Sequence, residues 1–292
     1  MNIEIKPGKY VVAVSGGVDS VSLLNMLSKV PGLELVIAHY DHGIRNDSAE
    51  DRQFVQQLAK DYDLPFEYAE GHLGLHANED LARTKRYTFM QEVKAKYGAQ
   101  AIITAHHQDD VLETIIINLL RGTGRKGLSS LRSTKELVRP LLKMTKQDLI
   151  EYSKANKLTW REDQTNYTEA YFRNWVRLNI IPRLSAAQRQ ELLKKQELAL
   201  QNNQVIDTML DAYINPNSPD TLDKNDITQL PHAVAIELIA HWLRVNHVRE
   251  VDSKLLERVT IGSKTLQPGK TIAVKGKTII KVAAKKLLLI KE

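Results

Sequence analysis

The residues best equipped for chemistry fall in two bursts. The first, Ser15-Gly16-Gly17-Val18-Asp19-Ser20, follows the apolar run Val11-Val12-Ala13-Val14 without a break. Adjacent glycines let the backbone turn sharply and bring its N–H groups close to an anion. From Val18 the apolar spacing becomes helical (Val18, Val21, Leu24), so a helix start adds partial positive charge at the same point. Ser15 and Ser20 supply hydroxyls. Asp19 suits a Mg²⁺ that bridges phosphates better than it suits a bare phosphate. An ordinary strand-to-helix turn with a serine cap needs neither Gly-Gly nor Asp19. The Lys-Ser/Thr of a kinase-type phosphate loop is missing.

The second burst is His106-His107-Gln108-Asp109-Asp110 with Glu113, ahead of the helical pattern Val111, Leu112, Ile115, Ile116. Asp110 and Glu113 are three apart and share a helix face, with His106 just before them. Such a group binds a cation, either Mg²⁺ or an ammonium. Zinc ranks lower, because His-His-x-x-Asp is not a settled helical ligand spacing. The helix macrodipole alone would explain Asp109 and Asp110, but not the histidines or Glu113.

Both bursts need strands to deliver them. Buried parallel strands are expected at 11–14, 33–38, 66–69 and 101–105, with helices at about 19–29, 48–62 and 78–97 between them. Asn78 reads as a helix cap, after a loop carrying His72 and His76. The alternation predicts α/β architecture: a doubly wound, mostly parallel sheet, with ligand groups beyond the carboxyl ends of its strands. His39-Tyr40-Asp41-His42 occupies one such end, which makes His39 a nucleotide-binding candidate. Arg121, Arg125 and Lys126 with three glycines at 122–127 form either a phosphate-binding segment or a solvated linker. A short strand at Leu137-Val138 and a helix at about 145–157, capped by Thr145, follow. Tyr171-Phe172-Arg173-Asn174-Trp175-Val176-Arg177 interleaves aromatics with cations, as base stacking and phosphate neutralisation require, and as an amphipathic helix with long cationic stems also would. The domain boundary is placed at 183. Beyond it, 184–292 predicts a smaller helical domain with helices at about 186–212, 231–246 and 252–260, ending in a lysine-faced β hairpin or meander.

The chain has 292 residues, 42% of them hydrophobic and 26% charged, as in ordinary globular proteins. Its first residues lack a signal-peptide pattern and no run reaches transmembrane length, so no membrane partner and a cytoplasmic address are expected. There is no cysteine, which removes thiolate chemistry. Residues 1–120 carry 11 basic and 17 acidic side chains, residues 121–183 carry 14 and 6, and residues 184–292 carry 16 and 12. An acidic first part followed by basic segments suggests a polyanionic substrate larger than a nucleotide; a lysine-rich surface is the plainer reading.

The hexapeptide SGGVDS resembles the pyrophosphatase loop of enzymes that cleave ATP between its α and β phosphates. Lack of cysteine excludes the sulfur-relay and glutamine-hydrolysing branches of that group. In order, SGGVDS, HYDHGIR (39–45), Glu79 with Ala82-Arg83 and Arg86-Tyr87, TAHHQDDVLET (104–114), RGTGRKGL (121–128), RPLL (139–142), Trp160 with Asp163 and Asn166, and YFRN (171–174) with Arg177 and Pro182 resemble the tRNA(Ile)-lysidine synthetase family. The resemblance covers about the first 183 residues. It implies an adenine-nucleotide α-hydrolase-like fold and an ATP- and Mg²⁺-dependent ligase. Its substrates would be L-lysine and the wobble cytidine of tRNA(Ile) with a CAU anticodon, through an adenylated cytidine. Residues 15–20 would hold pyrophosphate and Asp19 the Mg²⁺. Asp110 and Glu113 would take the ammonium groups of lysine or the metal. His106, Arg86, Arg173 and Arg177 would contact ATP, cytidine or the lysine carboxylate. A homodimer is the family-level expectation. Longer members continue into a further β-rich domain that helps grip the acceptor stem; this chain ends before one, as a short natural form or a truncation. A small-molecule amide synthetase with the same loop, or a non-catalytic nucleic-acid-binding module, are the competing readings.

Overall fold

Val11 and Val12 decide how the first layer is built. Neighbours on a strand face opposite ways, and in a computed structural model of the chain each belongs to a different core. The structure describes residues 3–41, 43, 48–71, 79–161, 172–248 and 251–291. β1 (Gly8–Ala13) pairs in parallel with β2 (Leu33–Asp41) and with β4 (Ala101–Ile103), placing Val11 beside Val36 and Ile102, and Val12 beside Ile37 and Ile103. Val11, Val36 and Ile102 pack with Met90 and Val93 of α3 (Glu79–Tyr97). Val12, Ile37 and Ile103 pack with Leu24 and Leu27 of α1 (Val18–Ser28), Val55 of α2 (Ser48–Asp61) and Leu149 of α5 (Lys146–Ala155). A sheet covered on both faces explains why these strands read as unbroken apolar runs.

β3 (Phe66–Glu70) and β5 (Leu137–Val138) complete a five-stranded parallel sheet of order β3-β2-β1-β4-β5. The chain steps outward from β1 to β3, then returns to the other side of β1. The carboxyl ends of β1 and β4 therefore flank a topological switch point, where open α/β sheets form their ligand crevice. α4 (Gln108–Leu120) and α6 (Phe172–Asn179) pack through Leu112, Ile117 and Val176.

The chain divides into two compact units, Met1–Ala199 and Leu200–Glu292, and this division falls within α7 (Ala186–Asp211). The first turns of α7 belong with the first unit because Leu192 and Leu193 pack against Ile117 and Val111 of α4. The second unit gathers α8 (Lys224–Gln229), α9 (His232–Val245) and α10 (Ser253–Thr265) over a four-stranded antiparallel sheet. Its order is β6 (Thr221–Asp223), β9 (Lys286–Lys291), β8 (Thr278–Val282), β7 (Thr271–Lys275). The expected meander is present, joined by β6. Ile272, Val274, Ile280, Val282 and Leu287 face the core around the fully buried Trp242, while Lys275, Lys281 and Lys286 stay exposed. No helix among the described residues is long and apolar enough to cross a membrane.

Candidate active site

The turn after β1 is built around Ser20. Its Oγ accepts from the N–H groups of Ser15 and Gly16, both at 3.2 Å, and donates to the Gly17 carbonyl at 2.9 Å. Gly16 has φ +94°, a left-handed conformation that disfavours any side chain, and a Cβ there would also meet Phe54 at 3.3 Å. Its carbonyl is held by the Arg161 N–H at 3.0 Å, and the Arg161 guanidinium pairs with Glu50 and Asp51 of α2. Gly17 caps α1 without a side chain, so Val18, Asp19 and Ser20 present first-turn N–H groups that lack intrahelical acceptors. That is a phosphate cradle in form. Ser15, Gly16 and Ser20 shape it, and Gly17, Val18 and Asp19 open it.

Asp19 reaches across to α5. Lys146 Nζ lies 2.7 and 2.8 Å from its two carboxylate oxygens. Lys146 is the first residue of α5, after the Thr145 cap whose hydroxyl accepts from Asp148 N–H at 3.1 Å. A cation in a first turn opposes the macrodipole, which is the sequence signal that could have singled Lys146 out.

α4 begins beside this pair. His107 is its cap: Nδ1 accepts from Asp109 N–H at 3.3 Å, while Asp110 Oδ2 accepts from His107 N–H at 2.8 Å. His107 Nε2 then sits 3.7 Å from Asp19 and 3.6 Å from Asp110. On the far side, Arg177 Nη2 is 3.3 Å from Asp110 Oδ1, and Arg177 also holds fully buried Glu113 at 2.6 and 3.0 Å. Arg173 Nη1 adds a contact to Glu113 at 3.5 Å. Lys146, Asp19, His107, Asp110, Arg177, Glu113 and Arg173 thus form one polar chain, in which three cations face three carboxylates. Burial pushes the Glu113 carboxyl above its usual range, and the Arg177 fork works against that. Burial acts on Asp110 in the same sense, but His107, His106 and Arg177 beside it overcome this and hold it below its usual range. Arg189, which motif spacing did not single out, fixes the start of α4 through Asp109 at 2.7 Å and the Ile181 carbonyl at 2.8 Å.

His106 lies at the end of β4 with Nδ1 2.8 Å from Thr104 Oγ1. Burial pushes its pKa down to about 3, with Arg139, Arg86 and Arg83 adding to the depression and Asp110 opposing it. Its ring is therefore neutral near pH 7. Arg139, from the RPLL segment, is buried and bonds the Arg132 carbonyl. Arg83 and Arg86 lie over the Tyr87 ring. Sequence reasoning gave Arg139 no role.

His39 is buried and donates Nδ1–H to the Val14 carbonyl at 2.8 Å while stacking on Tyr68. In this arrangement it braces the strand end that leads into the glycine turn. Arg121 caps the C-terminus of α4, and Arg125 and Lys126 lie in the loop that follows it. Asn118 ties their loop down through the Gly127 carbonyl at 2.7 Å. His42, Arg45, His72, His76, Asn78, Asp163, Asn166 and Tyr171 lie outside the described residues.

The residues fit a nucleoside triphosphate accompanied by Mg²⁺, which Asp19 would help hold. No group of three metal-ligating side chains occurs among the described residues, and Mg²⁺ commonly takes one or two carboxylates plus substrate phosphates. Asp19 can serve that way if Lys146 turns to the phosphates. Glu113, enclosed by arginines, does not fit a metal.

A glycine turn opening a helix at the switch point of a parallel sheet, with a carboxylate and a lysine over it, defines a nucleotide-binding α/β protein of the pyrophosphatase-loop class. The PP-loop domain family model matches residues 2–184, and the chain belongs to that family. The tRNA(Ile)-lysidine synthase of Thermotoga maritima is 32% identical over 266 residues, covering 87% of this chain and 63% of that protein. The Thermus thermophilus protein of the same name is 37% identical over 217 residues, covering 71% of this chain and 42% of its own. The chain thus spans less than two thirds of either relative. Among solved structures, the U34-tRNA thiolase NcsA of Methanococcus maripaludis, with its 4Fe-4S cluster, aligns at TM-score 0.53 and 15% identity over 68% of this chain and 74% of that one. That likeness concerns the fold.

Proposed function

We propose that the protein is an ATP-dependent ligase that joins L-lysine to C2 of the wobble cytidine of the CAU-anticodon tRNA(Ile) in the cytoplasm, giving lysidine and changing the tRNA from Met to Ile specificity. One observation carries the reading: a phosphate turn with its Asp19–Lys146 pair and an acid–arginine cluster built on Asp110 and Glu113 meet at one switch point, joined by His107. The cytidine C2 oxygen attacks the α-phosphorus and the bond to pyrophosphate breaks. A lysine amine then attacks C2, AMP leaves, and the amine loses a proton. Mg²⁺, when bound, supplies positive charge to the departing pyrophosphate.

The chain's own contribution begins with fixed donors. N–H groups of the α1 first turn and Lys146 face the place where charge builds on the leaving phosphates, which preorganises the site for the transition state. Asp110, Glu113, Arg177 and Arg173 are a self-neutral cluster. Free lysine carries two ammonium groups and a carboxylate, so its carboxylate and one ammonium can exchange into these ion pairs without leaving a charge bare, while its other amine, once deprotonated, is the nucleophile. His106 is neutral and lies among Arg139, Arg86 and Arg83. Phosphates arriving near those cations offset their field and make His106 a better proton acceptor.

The test is incubation with ATP, Mg²⁺ and radiolabelled lysine, with and without the CAU-anticodon tRNA. Pyrophosphate release that needs the tRNA, with lysine entering the RNA, is the expected result. Release with a small acid or amide acceptor and no RNA would make the protein a small-molecule synthetase. RNA binding without pyrophosphate release would make it a non-catalytic binder.

A further inference from the structure

α6 presents two unlike faces. On one, Val176 is fully buried with Leu112, Ile117 and Ile181, and Arg173 and Arg177 reach inward to Glu113. On the other, Phe172 and Trp175 stand side by side, 44% and 39% exposed. Their rings are nearly parallel and stacked, 7° apart in tilt with centroids 6.0 Å apart. The buried valine and the ion pairs fix the rotation of the helix, so the two rings cannot turn inward. Two large aromatics held in water, on the helix that also grips the acid cluster, are a surface kept for a partner.

We infer that the Phe172–Trp175 pair is a stacking platform for an unpaired RNA base next to the base being modified. This rests on the proposed function. A base that undergoes chemistry must leave its stack, and its neighbour in the loop then loses a stacking partner. The outer face of a stacked aromatic pair replaces that partner whatever the base, because every base has a π-face. Charge favours RNA over an apolar protein partner: the segment 121–183, which includes α6, carries 14 basic against 6 acidic side chains.

The experiment uses the full chain and a synthetic stem–loop RNA with a CAU anticodon, carrying 2-aminopurine at the position beside the wobble cytidine. Wild-type protein is expected to quench the probe on binding. Trp175→Ala and Trp175→Leu should weaken RNA affinity roughly 5- to 150-fold and lose the quench. Trp175→Phe should keep most of both. The salt dependence of binding should stay unchanged in all three, because stacking releases no counterions. Wild-type affinity and quench in Trp175→Ala would overturn the platform. Retention of affinity by Trp175→Leu would also overturn it, since an apolar contact without a ring would then suffice. So would a change in sedimenting mass with unaltered RNA affinity, which would make the face a protein contact. If the wild-type chain ignores the RNA yet releases pyrophosphate with a small acid acceptor, the proposed function falls and the platform falls with it. That result is distinct from failure of the platform alone.

Discussion

The two units bury polar groups in different ways. In Met1–Ala199 the buried ionisable side chains include His39, Asp41, Asp51, His107, Glu113 and Arg139, most of them near the carboxyl edge of the parallel sheet. In Leu200–Glu292, His241 is the buried ionisable group among the described residues, and it is satisfied by Asp211 at 2.6 Å. The hydrophobic core of that unit gathers around Trp242, with Lys275, Lys281 and Lys286 exposed. Burying charge is costly unless it is paired. A chain that does so repeatedly around one crevice marks where chemistry takes place, whereas a surface of solvated lysines marks long-range attraction.

The sharpest way to break this contrast is Glu113→Ala. It would leave Arg177 and Arg173 facing an empty, buried place, and stability should fall by about 3–5 kcal/mol in a urea titration. A drop of less than about 1 kcal/mol would show that the cluster is solvated and the contrast only apparent. Next comes Lys146→Met, in which the removed group is partly exposed. Pyrophosphate release should drop about 10²–10³-fold, with a much smaller change in melting temperature. Equal loss of activity and stability would make Lys146 a structural brace. Acid provides a third probe. His106 is neutral when folded and protonates near 6.5 when unfolded, so stability should decline as pH falls below 6.5 and level off near 3. Burial depresses His39 as well, adding loss in the same direction. His106→Gln should flatten the slope; an unaltered slope would place the burden elsewhere. The smallest effect is expected in the second unit. Reversing exposed Lys277, Lys281 and Lys285 to Glu should weaken tRNA binding and flatten its salt dependence, the logarithmic slope falling by about 0.7–0.9 for each phosphate that no longer meets a lysine. Unchanged affinity at low and high salt would reduce these lysines to a solubilising surface.

How legible each part was depends on the range of the forces that shape it. The β1 turn and the start of α4 are written locally: apolar runs end in Gly-Gly or His-His, and helical spacing follows at once. The C-terminal meander was readable from strict alternation in Thr271–Lys275, whose residues are exposed and buried in turn. β6 and α8 were not, because Thr221–Asp223 and Lys224–Gln229 are short and polar, and tertiary packing of Leu222 and Ile227 sets them. The site divides along the same line. Ser15–Ser20, Asp110 and Glu113 stood out by spacing, and they meet. Lys146 carried one local signal, a cation in a first turn, but its role was not readable because its partner Asp19 lies 127 positions away. Arg173 and Arg177 were readable as cations, but only the fold shows that they point at Glu113.

Arg161 has a consequence for any attempt to trim the protein. Its N–H holds the Gly16 carbonyl, and its side chain reaches α2 across 110 positions. A fragment ending before residue 160 would retain the strand, the glycines and the first helix, yet lack the clasp that keeps Gly16 in its left-handed shape. The shortest piece able to present a formed phosphate turn therefore extends through Arg161, well past the last strand of the sheet.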